Sequence, residues 1–155
     1  MLTREAGARF VVNDRFDLAL LSEADAVHLG QGDLAPNALP LEARECLAVG
    51  RSTHTPAQLE ATRNEDVDYV AFGPVFGTTS KESEFTARGL KALETACLIA
   101  SPRPLIAIGG IDTSHLWDLR AAGAMGFAVI SIVAAAADPA ASTRELVAGF
   151  EGAGR

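Results

Sequence analysis

Two acidic residues stand where short apolar stretches of the chain give way to polar ones. Asp14 follows "FVVN" and Asp33 follows "AVHLGQG". Two carboxylates, together with the phosphate oxygens of a substrate, are the usual way in which a protein holds Mg²⁺. An aspartate at the end of a strand often caps a helix instead, so the residues alone leave both interpretations open.

A polar loop, "GPVFGTTSK", runs from Gly73 to Lys81 after the apolar stretch "DYVAF". It carries hydroxyl donors and a mobile positive charge, which are supplied by Thr78, Thr79, Ser80 and Lys81. Further along, Gly109 and Gly110 precede a predicted helix, where backbone N–H groups can approach a phosphate closely. With the two aspartates, these residues suit a phosphate or diphosphate ester bound with Mg²⁺.

The three histidines are weaker candidates for functional residues. His28 lies inside a predicted strand, which favours a packed core residue over a base. His54 lies nearer the end of a strand, where a base and a structural residue are equally expected. His115 lies at a predicted helix start, which favours a surface position.

The elements that position these residues are short apolar runs separated by stretches of helical character. Runs that are apolar throughout suit strands covered on both faces, and alternation with helices predicts a parallel α/β sheet. The helix after the third run has Thr55 as its expected N-cap, with Pro56 at the first helical position. The predicted strands are 9–12, 26–29, 47–49, 68–72, 104–108 and 126–130.

Each predicted strand is followed by small, polar or ionisable residues. In (β/α)8 barrels the active site forms at the carboxyl ends of the strands, and in open α/β sheets ligands bind at the same edge. The sequence therefore predicts one site along this edge, to which six separate segments contribute.

The overall composition limits the classes of function. The 155 residues have 48% hydrophobic content, which predicts one folded domain over residues 1–155. A net charge of −7 excludes general nucleic-acid binding, which relies on clustered basic residues. No stretch indicates a signal peptide or a membrane span, so the expected location is cytoplasmic. Cys46 and Cys97 have no CxxC spacing, which favours free thiols.

Five motifs occur in a specific order: "VND", "HLGQGD", "STHT", "GPVFGTTSK" and "AIGGI". In that order they resemble thiamine phosphate synthase, from about Phe10 to the last predicted helix. The resemblance implies a (β/α)8 barrel that joins hydroxymethylpyrimidine diphosphate to hydroxyethylthiazole phosphate with Mg²⁺. Thiamine phosphate and pyrophosphate would be the products.

The resemblance also implies a role for each matching position. Asn13 and Ser52 would contact the pyrimidine, and Asp14 and Asp33 would hold Mg²⁺ on the diphosphate. Lys81 would meet the diphosphate as it leaves, so Lys81 and Ser52 are the catalytic candidates. The thiazole phosphate would be held by Thr78, Thr79, Ser80, Gly110, Ile130 and Ser131.

One part of the family pattern has no counterpart in these residues. Family members begin with two further βα units, the second of which ends in a basic "Q-x-R-x-K" segment. We therefore expect an incomplete barrel of about six βα units, with open edges at the first and last strands that favour self-association. The alternatives are a TenI-like thiazole tautomerase or regulator, which does not use the aspartate pair, and a truncated barrel without activity.

Overall fold

The computed structural model describes residues 2–77 and 86–153. In this part of the chain, six strands form one parallel sheet whose spatial order follows the sequence, from β1 to β6. Its strands are β1 Val11–Asn13, β2 Ala26–Leu29, β3 Ala48–Thr53, β4 Tyr69–Phe72, β5 Leu105–Ile108 and β6 Gly126–Ala128.

Helices connect the strands, as the alternating pattern predicts. Short 3₁₀ turns at Pro36–Ala38, Thr62–Asn64 and Thr113–His115 complete the connections. The α-helices are α1 Leu2–Glu5, α2 Phe16–Leu21, α3 Leu41–Cys46, α4 Pro56–Ala61, α5 Leu90–Ala100, α6 Leu116–Ala121, α7 Ser131–Ala134 and α8 Pro139–Gly152.

The hydrophobic core lies between the sheet and the helices. Alternate strand residues face it, among them Leu29 and Phe72, which are almost completely buried. Each such side chain stabilises the fold by about 1.5–3 kcal/mol relative to an exposed one. The intervening residues of each strand face the other side of the sheet, where His28, Ser52 and Tyr69 are only partly buried. These three polar side chains therefore lie on the side away from the helices.

Five of the six strands differ from the sequence prediction in at least one bound, and three of them, β1, β3 and β6, differ at the carboxyl end. β1 includes Asn13, which pairs with His28 in the ladder. β3 continues to Thr53 because Gly50 to Thr53 pair with β4, so Ser52 lies within a strand and not after one. β6 ends at Ala128, two residues earlier than predicted.

The predicted helix signals are confirmed. The Thr55 side chain accepts a hydrogen bond from the Gln58 N–H at the start of α4.

Cys46 and Cys97 lie in helices and are free thiols. Within the described residues, no helix combines the length and the hydrophobicity needed to cross a membrane.

The sheet is a curled half-barrel. Over residues 2–77 and 86–153, β1 pairs only with β2 and β6 pairs only with β5, so both are edge strands. The expected incomplete barrel with six strands is confirmed. Its carboxyl edge carries Asn13, the turn after Leu29, the end of β3, and the loops after Phe72 and Ile108.

Candidate active site

Asp14 lies at the turn out of β1 in a left-handed conformation, with φ of 68°. Its backbone N–H donates to the His28 carbonyl at 2.8 Å, which fixes the residue against the end of β2. The neighbouring Asn13 is the last residue of β1 and is exposed, and its carbonyl accepts from the Arg15 N–H at 2.7 Å. The N-cap residue of α2 is Arg15, so Asp14 does not occupy the capping position.

Asp33 closes a tight turn at the end of β2. Its Oδ2 accepts from the Gly30 N–H at 2.6 Å, and its own N–H donates to the Gly30 carbonyl at 3.2 Å. The N-cap of the following 3₁₀ turn is Ala35 and that of α3 is Pro40. Asp33 therefore orders a loop and does not cap a helix, which removes the main structural alternative for this residue.

The donor set at these two strand ends fits a hard divalent cation. Asp14 and Asp33 offer carboxylate oxygens, the ligand type that Mg²⁺ prefers. Among the described residues, no group of three or more His, Cys, Asp or Glu side chains could hold a metal ion. A cation bound here would rest on two carboxylates and on oxygens of a ligand, as Mg²⁺ commonly does with phosphorylated substrates.

A row of residues crosses three strands on the face away from the helices. His28, Gly50 and Tyr69 are register partners on β2, β3 and β4. The Tyr69 hydroxyl lies 3.1 Å from His28 Nδ1, and the two rings stack with centroids 5.5 Å apart. A Cβ at position 50 would overlap both rings, so only glycine lets them meet.

The same row holds the Ser52 hydroxyl. Ser52 Oγ lies 2.8 Å from His28 Nε2, and the Ser52 carbonyl accepts from the Gln31 side chain at 2.7 Å. Burial, and secondarily the Asp68 charge, raises the pKa of Tyr69, so its phenol stays protonated. If that phenol donates to Nδ1, a neutral His28 donates from Nε2, and the Ser52 hydroxyl proton is left to donate to a ligand.

The loop after β4 packs on the turn after β5 through backbone groups. The Val75 N–H donates to the Ile108 carbonyl at 2.8 Å, and the Phe76 N–H donates to the Gly109 carbonyl at 3.1 Å. Gly110 has φ of 64°, and a Cβ there would overlap the Gly77 carbonyl oxygen. The two segments approach so closely that glycine is required at position 110.

The remaining histidines support this loop. His54 Nδ1 lies 2.7 Å from the Gly73 carbonyl, which can only accept, so Nδ1 carries a proton. The His115 ring stacks on Phe76 with centroids 3.7 Å apart and is half-buried, contrary to the expected surface position. Both histidines therefore hold the loop that follows β4.

Ile130 and Ser131 lie beyond the end of β6. Ile130 is the N-cap residue of α7 and is 57% exposed, and Ser131 is the first residue of that helix and is also exposed. The other predicted phosphate-binding residues of the loop lie outside the described residues. These are Thr78, Thr79, Ser80 and Lys81.

The described site thus has two parts with different construction. The side-chain half consists of Asn13, Asp14, His28, Asp33, Ser52 and Tyr69. The backbone half consists of residues 73–77, 109–110 and 130–131.

Two members of the side-chain half, His28 and Tyr69, are not among the site residues that the sequence predicts. Tyr69 lies at the start of its strand, far along the chain from the other residues. The available signal is Gly50, because an isolated glycine inside a strand often marks a close approach of neighbouring groups.

Comparisons with known proteins agree with this geometry. The sequence profile of the family described as "Thiamine monophosphate synthase" matches residues 1–133. A protein named thiamine-phosphate synthase from Synechococcus sp. (strain WH7803) is 46% identical over 150 residues, or 94% of this chain and 41% of that protein. Its namesake from Pelotomaculum thermopropionicum is 40% identical over 145 residues, or 94% of this chain and 66% of that protein. The chain spans less than two thirds of both relatives.

A solved structure shares both fold and sequence. Thiamine phosphate pyrophosphorylase from Pyrococcus furiosus superposes with a TM-score of 0.83 at 34% identity. The comparison covers 98% of this chain and 72% of that one.

Proposed function

The chain belongs to the thiamine monophosphate synthase family, and from this premise we propose that its strand-end site joins a pyrimidine diphosphate to a thiazole phosphate. The products are thiamine phosphate and pyrophosphate. The reaction needs no protein nucleophile, because the bond to the diphosphate oxygen breaks and the thiazole nitrogen forms the new bond to the same methylene carbon. The chain's task is then to position two substrates and to stabilise the departing charge.

The side-chain half takes the pyrimidine diphosphate. Asp14 and Asp33 hold Mg²⁺, which when bound neutralises charge on the diphosphate. Asn13 and Ser52 contact the pyrimidine, and Ser52 donates its hydroxyl proton in the tautomer in which His28 Nε2 is the donor of their contact. The tight Gly30–Asp33 turn supports this assignment because it orients a carboxylate before any ligand arrives.

The backbone half takes the thiazole phosphate. The Gly110 N–H, Ile130 and Ser131 surround the phosphate, together with Thr78, Thr79 and Ser80. Lys81 contacts the diphosphate of the other substrate and neutralises negative charge on it as it leaves. The close packing of Gly110 on Gly77 supports this proposal, because it brings the loop after β4 beside the turn after β5.

The observation that carries the proposal is that one edge of a single parallel sheet gathers two carboxylates, a positioned serine and a glycine turn. Thiamine phosphate formation by the 155-residue chain, with and without Mg²⁺, tests it. We expect product only with the divalent cation. A folded chain that forms no product would support the alternative of a non-catalytic barrel, whereas turnover of a thiazole alone would support a TenI-like tautomerase.

We also propose that the edge strands of the 155-residue chain pair between copies of it. Val11 on β1 is 42% exposed and Ala128 on β6 is exposed, so both edges present apolar groups beside unpaired backbone. Light scattering should detect dimers or larger species. A monomer that unfolds cooperatively and has full synthase activity would contradict this part of the proposal.

A further inference from the structure

Arg51 is a buried cation on the helix-facing side of β3. Its side chain is only 7% exposed, whereas most arginines in proteins reach water. Arg51 Nη1 donates to the Gly30 carbonyl at 2.6 Å, and Nε lies 3.4 Å from Glu65 Oε2. Burying an ion pair brings a desolvation cost, so the arrangement calls for a reason beyond stability.

The Gly30 carbonyl is also part of the turn that holds Asp33. It accepts from the Asp33 N–H, while the Gly30 N–H donates to Asp33 Oδ2. Arg51 therefore binds the Gly30 carbonyl, while the N–H of the same residue orients the Asp33 carboxylate. Movement of the Gly30 carbonyl would change the direction in which Asp33 points.

The segment around Glu65 anchors the other end of the same connection. The Asn37 side chain donates to the Asn64 carbonyl and accepts from the Asp66 N–H, both at 2.8 Å. The connection after β2 is thus linked to residues 64–66 at two points. One is the Arg51–Glu65 ion pair, whose facing atoms, Nε and Oε2, form no hydrogen bond with each other, and the other is the pair of Asn37 hydrogen bonds. Both links restrict the loop that carries Asp33.

We propose that Arg51 is a positioning residue that fixes the Gly30–Asp33 turn so that the Asp33 carboxylate is ready for a divalent cation. The inference rests on the proposed function for the identity of the ligand. It extends that function by making metal affinity depend on a buried residue that touches neither metal nor substrate.

The decisive variant is the double substitution Arg51→Met with Glu65→Leu. Replacing both members of a buried ion pair by apolar residues of similar size is often neutral or stabilising. The fold should therefore persist while the hydrogen bond from Arg51 to the Gly30 carbonyl is lost. The single variant Arg51→Met leaves Glu65 buried without its partner and reports the structural cost separately. The matched control is Arg63→Met with Glu60→Leu, which removes an exposed ion pair of 3.1 Å from the same region.

Two measurements distinguish positioning from stability. Hydrogen exchange by NMR on the metal-free full chain follows the Gly30 N–H, which should exchange about tenfold faster in the double variant. Electron paramagnetic resonance measures Mn²⁺ binding with inorganic pyrophosphate, and the affinity should fall about 10- to 100-fold, as for other residues that orient metal ligands. Affinity for the thiazole phosphate and the unfolding midpoint should match those of the control.

Unchanged Gly30 exchange, or unchanged Mn²⁺ affinity, in the folded double variant would overturn the proposal. An equal loss of affinity for both ligands would also overturn it, since this would indicate a general structural effect. Failure of the unmodified chain to bind Mn²⁺ with pyrophosphate would overturn the proposed function instead. In that case Gly30 exchange alone decides whether Arg51 fixes the turn.

Discussion

The two halves of the site reach order by different means. In the side-chain half, three side chains orient one another, since Tyr69 contacts His28 and His28 contacts Ser52, and the Gly30 N–H orients the Asp33 carboxylate. In the backbone half, main-chain hydrogen bonds and a glycine contact hold two loops together. The first half should be sensitive to the chemistry of its groups, and the second to any added volume.

The largest effect is expected from Asp33→Asn in the side-chain half. The asparagine oxygen can still accept from the Gly30 N–H, so the turn should persist while the negative charge is lost. We expect kcat to fall about 100- to 1,000-fold, the range for removing one preorganised electrostatic group. Steady-state kinetics and an unfolding curve check this.

Asp14→Ala should behave in the same way. A loss of stability in either variant, with unchanged activity per folded molecule, would show that these aspartates are structural residues.

Gly110→Ala tests the backbone half. The added methyl group would overlap the Gly77 carbonyl oxygen at a positive φ, which costs about 1–3 kcal/mol of strain. The loops should separate, and KM for the thiazole phosphate should rise about tenfold or more with a smaller change for the pyrimidine diphosphate. Gly77→Ala is the control, because, apart from its chain neighbours, no described residue has an atom within 4 Å of a Cβ at that position. Equal effects of the two substitutions would refute the role of the close contact.

Tyr69→Phe should have a smaller effect. It removes one hydrogen bond to His28, worth about 1 kcal/mol, so kcat should fall about fivefold. KM for the thiazole phosphate should not change, because Tyr69 belongs to the side-chain half. A rise in KM for the thiazole phosphate alone would contradict the assignment of Tyr69 to the side-chain half.

The smallest expected effect is on the pH dependence of stability. Burial raises the pKa of Tyr69 above its ordinary value of 10.0 in the folded state. The stability from its neutral form is therefore complete below about pH 10 and is lost as the pH rises through the folded-state pKa. Unfolding curves between pH 8 and 11 should show a loss that Tyr69→Phe reduces. Identical curves for both proteins would contradict the assigned shift.

The sequence predicts the architecture well because it depends on local patterns. Apolar runs and helix signals identify all six strands, and the Thr55 cap forms as expected. Asp14 and Asp33 are recognisable because carboxylates at strand ends are informative residue types. Their binding roles, like those of Asn13 and Ser131, stay predictions.

The contacts that shape the site are not predictable in the same way. Arg51 stands in a segment that the sequence assigns to a loop, because "GRST" is polar, yet β3 extends through it and buries its side chain. Its partners, Gly30 and Glu65, come from two other connections. The stacking of His115 on Phe76 likewise depends on which loops adjoin in space.

Calorimetric titration of the unmodified chain tests the division of the site most directly. Inorganic pyrophosphate and the thiazole phosphate are each titrated with and without Mg²⁺. The account predicts that pyrophosphate binds only with Mg²⁺, since Asp14 and Asp33 would otherwise repel it, and that the thiazole phosphate binds with the same affinity under both conditions. Binding of the thiazole phosphate that requires Mg²⁺, or competition between the two ligands for one site, would contradict the account.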